Sequence, residues 1–414
     1  MMYLYNNSLY PFSSSLATKL LSLVITRGIM KMKIYDTVLV GHFIDRPNRF
    51  VAHVEINGNV ETCHMPNPGR MRELLFPGVT MYVTPNTNPK SKTAYRVIGV
   101  AKGKDIFYLD TSRCNDVAAY MVEHHMIPGW EKYVLLRREV TMGDSRFDLL
   151  LGDPETGEVF PVEVKSCSLA GQVGAMFPDA PTTRGEKHIE HLVHIGKEGG
   201  HGGLLILVHY GHAQWFLPDF HTDPAFANIF YQGASFLDWK AAVLSWTPAF
   251  EMPEHTRLIP TSMRALKYEM GDRGNYLLIL SLADDMDMEI VKGHRTHFSP
   301  GYYVYVGTAE ENLVKQMNYH RHLRKHKKGW IDEFREKCDF VGIIPIRSGT
   351  HLEKDLTMAM RSIADWTVDD VLETDHAISR IELFGFHKNP MHLHSFTSVE
   401  ETFQIDRFNM YFEK

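Results

Sequence analysis

The sequence predicts a multidomain chain: a small β-barrel, then an α/β unit, then a smaller C-terminal unit of α+β type. Three observations point that way. A length of 414 residues exceeds one ordinary domain. Near residue 116 the text changes from short strand-like runs bounded by turns to helices interleaved with strands. Three prolines, Pro248, Pro253 and Pro260, then crowd into 13 residues. They cannot sit inside one regular helix, so they mark a joint. Hydrophobic residues at 44% and charged residues at 23% leave ample apolar surface to bury, which excludes disorder over most of the chain. No stretch after the N-terminus supplies the ~20 apolar residues of a transmembrane helix. With a formal net charge of −6, only local clustering can speak for or against nucleic acid. Cys63, Cys114, Cys167 and Cys338 form no CxxC pair. That excludes a disulfide framework and the usual zinc ribbon, and it fits a reducing, cytoplasmic setting.

Residues 1–35 read as an N-terminal extension. Leu16 to Ile25 is mildly apolar, but no basic region precedes it and no small-x-small cleavage site follows. Initiation at Met30 or Met32 is an alternative. Residues 36–115 carry the strand-like runs Thr37–Val40, Phe50–Ile56 and Val79–Val83, with Asn57-Gly58 as a hairpin turn. Residues 116–245 read as a helix from Asp116, strands over Val134–Val140, Phe147–Leu151 and Val159–Lys165, a helix over Arg184–Glu198 and a strand over Leu204–His209. Residues 246–272 read as a linker. A C-terminal unit follows over 273–400.

The central unit holds the chemistry. Asp153 to Gly157 is a turn sequence; Asp148 precedes Glu155 by seven residues and Glu163 follows it by eight. A hairpin therefore brings Asp148 and Glu163 to neighbouring strand positions. Lys165, two residues on, faces the same side as Glu163. Two adjacent carboxylates repel, and a divalent cation relieves that repulsion; Mg²⁺ accepts carboxylates, water and phosphate oxygens. A lysine beside them can orient water and stabilise charge developing on a phosphate. That is the logic of phosphodiester hydrolysis with Asp148 and Glu163 on Mg²⁺ or Mn²⁺ and Lys165 as the third group. The plainer alternative is a solvated sheet face, and Pro161 favours an edge strand or bulge. Thr183 with Glu186 gives a capping-box signature. The helix starting there carries Arg184, Lys187 and His188, cations at a helix N-terminus suited to phosphate. His188, His191 and His194 are spread around that helix, against a metal site.

These residues also carry a resemblance. Ser145-Arg146-Phe147-Asp148, Val162-Glu163-Val164-Lys165-Ser166 and Phe177-Pro178-Asp179-Ala180 followed by Thr183-Arg184-Gly185-x-Lys187-His188 look like the sugar fermentation stimulation protein A (SfsA) family. So do Arg46-Pro47-Asn48-Arg49-Phe50, Asn67-Pro68-Gly69-Arg70-Met71 and Leu75-x-Pro77-Gly78. The resemblance covers about 36–235. It implies an OB-like barrel followed by a PD-(D/E)xK nuclease-like domain that binds DNA. Pro68 departs from the family's usual Thr. On the barrel, Arg46, Arg49, Arg70, Arg72, Lys90 and Lys92 suit a nucleic-acid face, with Phe50 and Tyr95 for stacking; singly, each is an ordinary surface charge or core ring.

In the C-terminal unit a strand over Asn275–Leu280 and a second ending at Ala309 precede a helix carrying residues 315–328. That segment has six Lys/Arg, three His and no acid, and Arg321, Arg324 and Lys325 are its expected phosphate contacts. Gly274-x-Tyr276 and Tyr305-Val306-Gly307 look like a GIY-YIG-type domain of the endonuclease III-associated variety, over about 273–396. Phe384-Gly385 is similar to that family as well. Gln316 stands where that family has an arginine, and Phe386 to Asn389 replace its terminal run. Glu353 is the candidate acidic ligand. The resemblance thus implies a degenerate, binding rather than catalytic module. The whole chain is expected to bind DNA and to carry a divalent-metal phosphodiesterase site; the alternative is a non-enzymatic DNA-binding or regulatory protein. A sugar-acting enzyme finds no Gly-rich phosphate loop and no dinucleotide fingerprint here.

Overall fold

Six strands form the first sheet: β1 (Leu39–Asn48), β2 (Val51–Ile56), β3 (Asn59–His64), β4 (Thr80–Pro85), β5 (Tyr95–Lys102) and β6 (Asp105–Tyr108). Their order is β3-β2-β1-β4-β5-β6, and β3 also pairs with β5, which closes five strands into a barrel. The computed structural model describes residues 33–88, 90–291, 294–323, 326–327, 329–374 and 377–413. Asn57 and Gly58 both take positive φ, 52° and 80°, as the two-residue turn between β2 and β3 requires. Residues 1–32 of the expected extension lie outside the described residues. Ile34 and Tyr35 are buried, and the Tyr35 hydroxyl donates to Asp110 Oδ2 at 3.0 Å, so the folded body begins before residue 36.

The second unit opens with α1 (Cys114–Glu123) and a mixed sheet. Its strands are β7 (Val134–Met142), β8 (Ser145–Gly152), β9 (Val159–Cys167), β12 (Gly203–Val208), β14 (Asp238–Val243) and β15 (Arg257–Leu258), in the order β15-β14-β12-β9-β8-β7. A small sheet of β10 (Leu169–Ala170), β11 (Gly174–Phe177) and β13 (Trp215–Pro218) lies beside it. Helices α2 (Thr183–Lys197) and α3 (Pro224–Gly233) pack together. Pro161 does not make β9 an edge strand. Pro161 pairs with Leu150 of β8, and pairing with β12 starts at Val162, opposite Gly203, one residue beyond the proline, so the proline sits at the end of the β9–β12 ladder rather than within it.

Segment 246–272, expected as a linker, is built into the body. It supplies β15, paired antiparallel to β14, and α4 (Met263–Glu269), and it buries Phe250, Met252, Ile259, Ala265 and Leu266. Its prolines fall between elements rather than within them, which is why proline spacing alone suggested a free connection. Barrel and α/β unit share two apolar cores: in one Phe107 stacks on Tyr210 at 5.0 Å, in the other Tyr108 stacks on Trp246 at 4.7 Å.

The C-terminal unit is a five-stranded antiparallel sheet, β20-β16-β19-β22-β21. Its strands are β16 (Gly274–Leu282), β19 (Gly301–Ala309), β20 (Asp339–Arg347), β21 (Trp366–Thr374) and β22 (Ala377–Phe386), with the hairpin β17 (Met286–Val291) and β18 (His294–Phe298) between β16 and β19. Helices α5 (Leu313–Arg321), α6 (Trp330–Lys337), α7 (Glu353–Ile363) and α8 (His394–Gln404) complete it. Apolar residues on the two faces of the sheet form separate cores. The unit is pinned to the rest of the chain. Arg72 pairs with Glu400 at 2.6 Å, Lys102 pairs with Glu401, and Arg407 meets Glu269 at 2.9 Å. Trp215 stacks on Phe412 at 4.9 Å while its indole N–H donates to Asn409 at 2.7 Å. The four cysteines are buried and free, and no helix among the described residues is long and apolar enough to cross a membrane.

Candidate functional site

The β8–β9 hairpin sets the site. Asp153 Oδ1 accepts from the backbone N–H of Glu155 at 2.9 Å, and Gly157 turns at φ 75°, so turn chemistry fixes the register. Leu149 pairs with Val162, which carries Asp148 to the position facing Glu163. Asp148 Oδ2 accepts from the Val164 backbone N–H at 2.8 Å, and Oδ1 from Asn115 Nδ2 at 2.7 Å. Asn115, on the first turn of α1, carries no sequence signal for this role; only tertiary packing reveals it.

Glu163 is 3% exposed. Its Oε1 accepts from Lys165 Nζ at 2.5 Å and from His188 Nδ1 at 2.5 Å. Its Oε2 is buried without a hydrogen-bond partner. Burial works to raise the Glu163 pKa, but the His188 hydrogen bond and the Lys165 charge outweigh it and hold the carboxyl below its ordinary range. Asp148 moves the other way, raised first by burial and then by the charge of Glu163. The two carboxylates are thus electrostatically coupled, as adjacent placement requires.

His188 departs from the expected phosphate role. It is 6% exposed and bound to Glu163, so it positions that carboxylate. Helix α2 begins one residue earlier than the capping-box reading: Thr182 is the cap, its Oγ1 accepting from Gly185 N–H at 3.0 Å. Arg184 and Lys187 are exposed and, with Asp144, Arg146, Glu190 and His191, line an open depression between the β7–β8 turn and α2; His188 borders it, whereas Asp148, Glu163 and Lys165 do not.

Arg46 also departs from its expected role. Its Nη1 donates to the carbonyls of Gly69 (2.7 Å) and Arg70 (3.1 Å), and its Nη2 to those of Arg49 (2.8 Å) and Asn67 (2.9 Å). All four terminal N–H groups are used, and Nε is buried. Arg46 therefore ties the β1–β2 turn that carries the exposed Arg49 to the loop after β3 that carries the exposed Arg70. Pro68 sits in that loop, exposed, between Asn67 and Gly69, where Asn67 Oδ1 accepts from the Gly69 N–H at 2.9 Å.

In the C-terminal unit, Tyr276 pairs with Gly307 across β16 and β19. A Cβ on Gly307 would lie 2.0 Å from Tyr276 Cζ, so the glycine makes room for the ring. The Tyr276 hydroxyl is 2.9 Å from His320 Nε2, and burial pushes its pKa up. Tyr305 is half-buried, its ring 6.3 Å from that of Tyr276. Glu353 starts α7 and is exposed. The helix expected to carry 315–328 ends at Arg321. Arg324 and Lys325 lie outside the described residues, and Lys327 pairs with Glu336 at 2.8 Å.

Among the described residues no three His, Cys, Asp or Glu side chains cluster as a metal site. Asp148 and Glu163 are what the chain offers, and the unpartnered, buried Glu163 Oε2 fits a cation. Mg²⁺ is usually held by one or two carboxylates plus water and phosphate.

Comparison with known proteins places these parts. Residues 44–108 match the SfsA N-terminal OB domain, 112–236 the sugar fermentation stimulation protein RE domain, and 275–404 a domain of unknown function, DUF123, the GIY-YIG-like type. The sugar fermentation stimulation protein homolog of Clostridium botulinum (strain Langeland) is 39% identical over 197 residues, covering 48% of this chain and 85% of that protein. The homolog of Clostridium acetobutylicum is 37% identical over the same shares. The structure of Pyrococcus furiosus SfsA in complex with Ca²⁺ matches with TM-score 0.51 and 27% identity, over 56% of this chain and 99% of that one. The chain belongs to the sugar fermentation stimulation protein family, with a C-terminal GIY-YIG-like domain fused to it.

Proposed function

We propose that this chain binds DNA and hydrolyses phosphodiester bonds with a divalent metal at Asp148 and Glu163. The observation that carries the reading is Glu163 itself: ionised, buried, held at Oε1 by Lys165 and His188 and open at Oε2. Mg²⁺ or Mn²⁺ bound there supplies Lewis acidity and lowers the pKa of a bound water. The chain's own groups do the rest. Asn115 and the Val164 amide fix Asp148, His188 fixes Glu163, and Lys165 places a positive charge at the carboxylate pair, where charge grows on a phosphate. Arg184 and Lys187 hold the backbone of the substrate at the start of α2.

The second reading, a DNA-binding protein without catalysis, is favoured by one feature: Lys165 is bound to Glu163 rather than poised over open space. In the C-terminal unit, Gln316 is neutral and Tyr276 is a buried phenol with a raised pKa, which supports a binding role there. The test is nicking of supercoiled plasmid with Mg²⁺ or Mn²⁺. Cleavage by the parent that survives Tyr276→Phe and Tyr305→Phe but is lost in Lys165→Ala supports the central site. The reverse pattern places the active module at the C-terminus. No cleavage by any of them leaves the binding-only reading.

A further inference from the structure

An open cleft of about 1060 Å³, solvent at its mouth included, runs between the barrel and the C-terminal unit. Its charge comes from both sides: Arg49 and Arg70 on the two barrel loops that Arg46 ties together, and Arg321 at the end of α5. All three are exposed, and none has an acidic partner within ion-pair distance. No Asp or Glu lines the cleft itself; the adjoining cavity, which Arg70, Arg72 and Arg321 also line, adds Glu73, Asp179, Asp219 and Glu400. Arg72, at its edge, is tied to Glu400 and ties the barrel to α8. The floor is different in kind. Phe340, Ile343 and Ile344 come from β20, the edge strand of the C-terminal sheet, and Met391 packs beside them. Phe50, next to Arg49, is 54% exposed.

We propose that this cleft binds a single strand of nucleic acid, with phosphates at Arg49, Arg70 and Arg321 and bases against the apolar floor. This rests on the nucleic-acid part of the function proposed above and is independent of the metal chemistry. Three guanidinium groups without an ion-pair partner face one space, and the nearby carboxylates line the adjoining cavity rather than this one, so the cleft favours an anion. An apolar floor beneath them suits an anion with flat apolar parts. A duplex keeps its bases stacked inside and shows only phosphates and grooves, so it would leave the floor uncovered; an unstacked strand covers both. The cleft needs the barrel and the C-terminal unit together, which gives the fused domain a task without catalysis.

The experiment is fluorescence anisotropy of the full chain in EDTA, so that no cleavage intervenes. The probes are a labelled oligo-dT and a duplex of equal length. The expected result is at least tenfold tighter binding of oligo-dT. Arg321→Glu and Arg49→Glu should each weaken it at least tenfold, and removal of one contact as Arg70→Ala should lower the log–log salt slope by about 0.7. Ile343→Asp should weaken oligo-dT more than duplex. Circular dichroism and melting temperature verify the fold of each variant. Unchanged oligo-dT affinity in folded Arg321→Glu overturns the proposal, as does equal or tighter duplex binding. Polyglutamate competing as well as oligo-dT also overturns it, since the cleft would then be a general anion patch. Loss of plasmid cleavage in Lys165→Ala with oligo-dT binding intact supports the cleft as a separate site. A parent that binds oligo-dT in this way but never cleaves supports the cleft and overturns only the metal reading.

Discussion

His188 gives the sharpest test of the site, because it touches the reaction only through Glu163. Replacing it by Ala removes one of two donors to Glu163 Oε1. A hydrogen bond to a charged group contributes roughly 1.5–3 kcal/mol. At 1.4 kcal/mol per tenfold, that predicts about 10- to 150-fold weaker Mn²⁺ binding, overlapping the roughly 10- to 100-fold typical for outer partners of metal ligands. The pH dependence has a definite sign. In the parent, His188 and Lys165 hold the Glu163 pKa down against burial. Without His188, burial gains and the pKa rises. Metal binding needs the ionised carboxylate, so the deficit of the variant is largest at low pH and shrinks as pH rises. His188→Gln keeps a donor and should recover part of the affinity. Calorimetric titration with Mn²⁺ at pH 6 and pH 8 measures all three proteins. Equal affinity of parent and His188→Ala at both pH values would refute the reasoning, and Glu163 would not be a ligand.

Three further outcomes follow from the geometry. Glu73 is buried with Oε1 unpartnered, and burial raises its pKa to about 8. An acid whose folded pKa lies above its unfolded value loses stability as pH rises between the two, here from the ordinary 4.5 to about 8, at 1.36 kcal/mol per unit. Glu73→Gln, which mimics the protonated form, should therefore melt like the parent near pH 4.5 and well above it at pH 8, with an upper bound of about 5 kcal/mol; parallel melting curves across that range would contradict it. Gly307→Ala forces a Cβ into the Tyr276 ring and should cost about 1–3 kcal/mol, read as a lower melting temperature; an unchanged one would mean the ring can move aside. Thr182→Ala removes the cap of α2 and should cost about 1 kcal/mol, with faster amide exchange in the first turn of the helix as the local readout.

Much of the candidate site was legible because it is local. The Asp153–Gly157 turn fixes a hairpin register, and a register places Asp148 and Glu163 side by side with no knowledge of the rest of the chain. What proved illegible depends on contacts distant in sequence. Asn115 reaches Asp148 from a helix 33 residues away, and nothing in Cys114-Asn115-Asp116 announces it. His188 lay on the expected helix and looked like a cation for phosphate; only its burial against Phe147 and Glu163 turns it into a positioning group. Arg46 misled for the same reason. An arginine in a basic stretch reads as a surface charge, and no local pattern shows four carbonyls converging on it from residues 49 to 70.

That distinction bears on how the two halves of the chain divide the work. At the central site the Lys165 cation is tied to a carboxylate, and His188 serves the same Glu163. Such a site has no free positive charge and attracts a polyanion weakly; its charges are arranged for what happens after binding. The unpaired cations lie elsewhere, with Arg184 and Lys187 on α2 and with Arg49, Arg70 and Arg321 around the cleft. Electrostatic attraction to phosphate scales with unpaired charge, so affinity should belong to the second set and chemistry to the first. On the proposed reading, a C-terminal domain with neutral Gln316 beside Tyr276 and with Arg321 on the shared cleft serves to hold the substrate. Arg321→Glu should accordingly raise the substrate concentration needed for half-maximal cleavage while leaving the rate at saturation unchanged. A fall in the saturated rate with no change in that concentration would assign Arg321 to the chemistry instead.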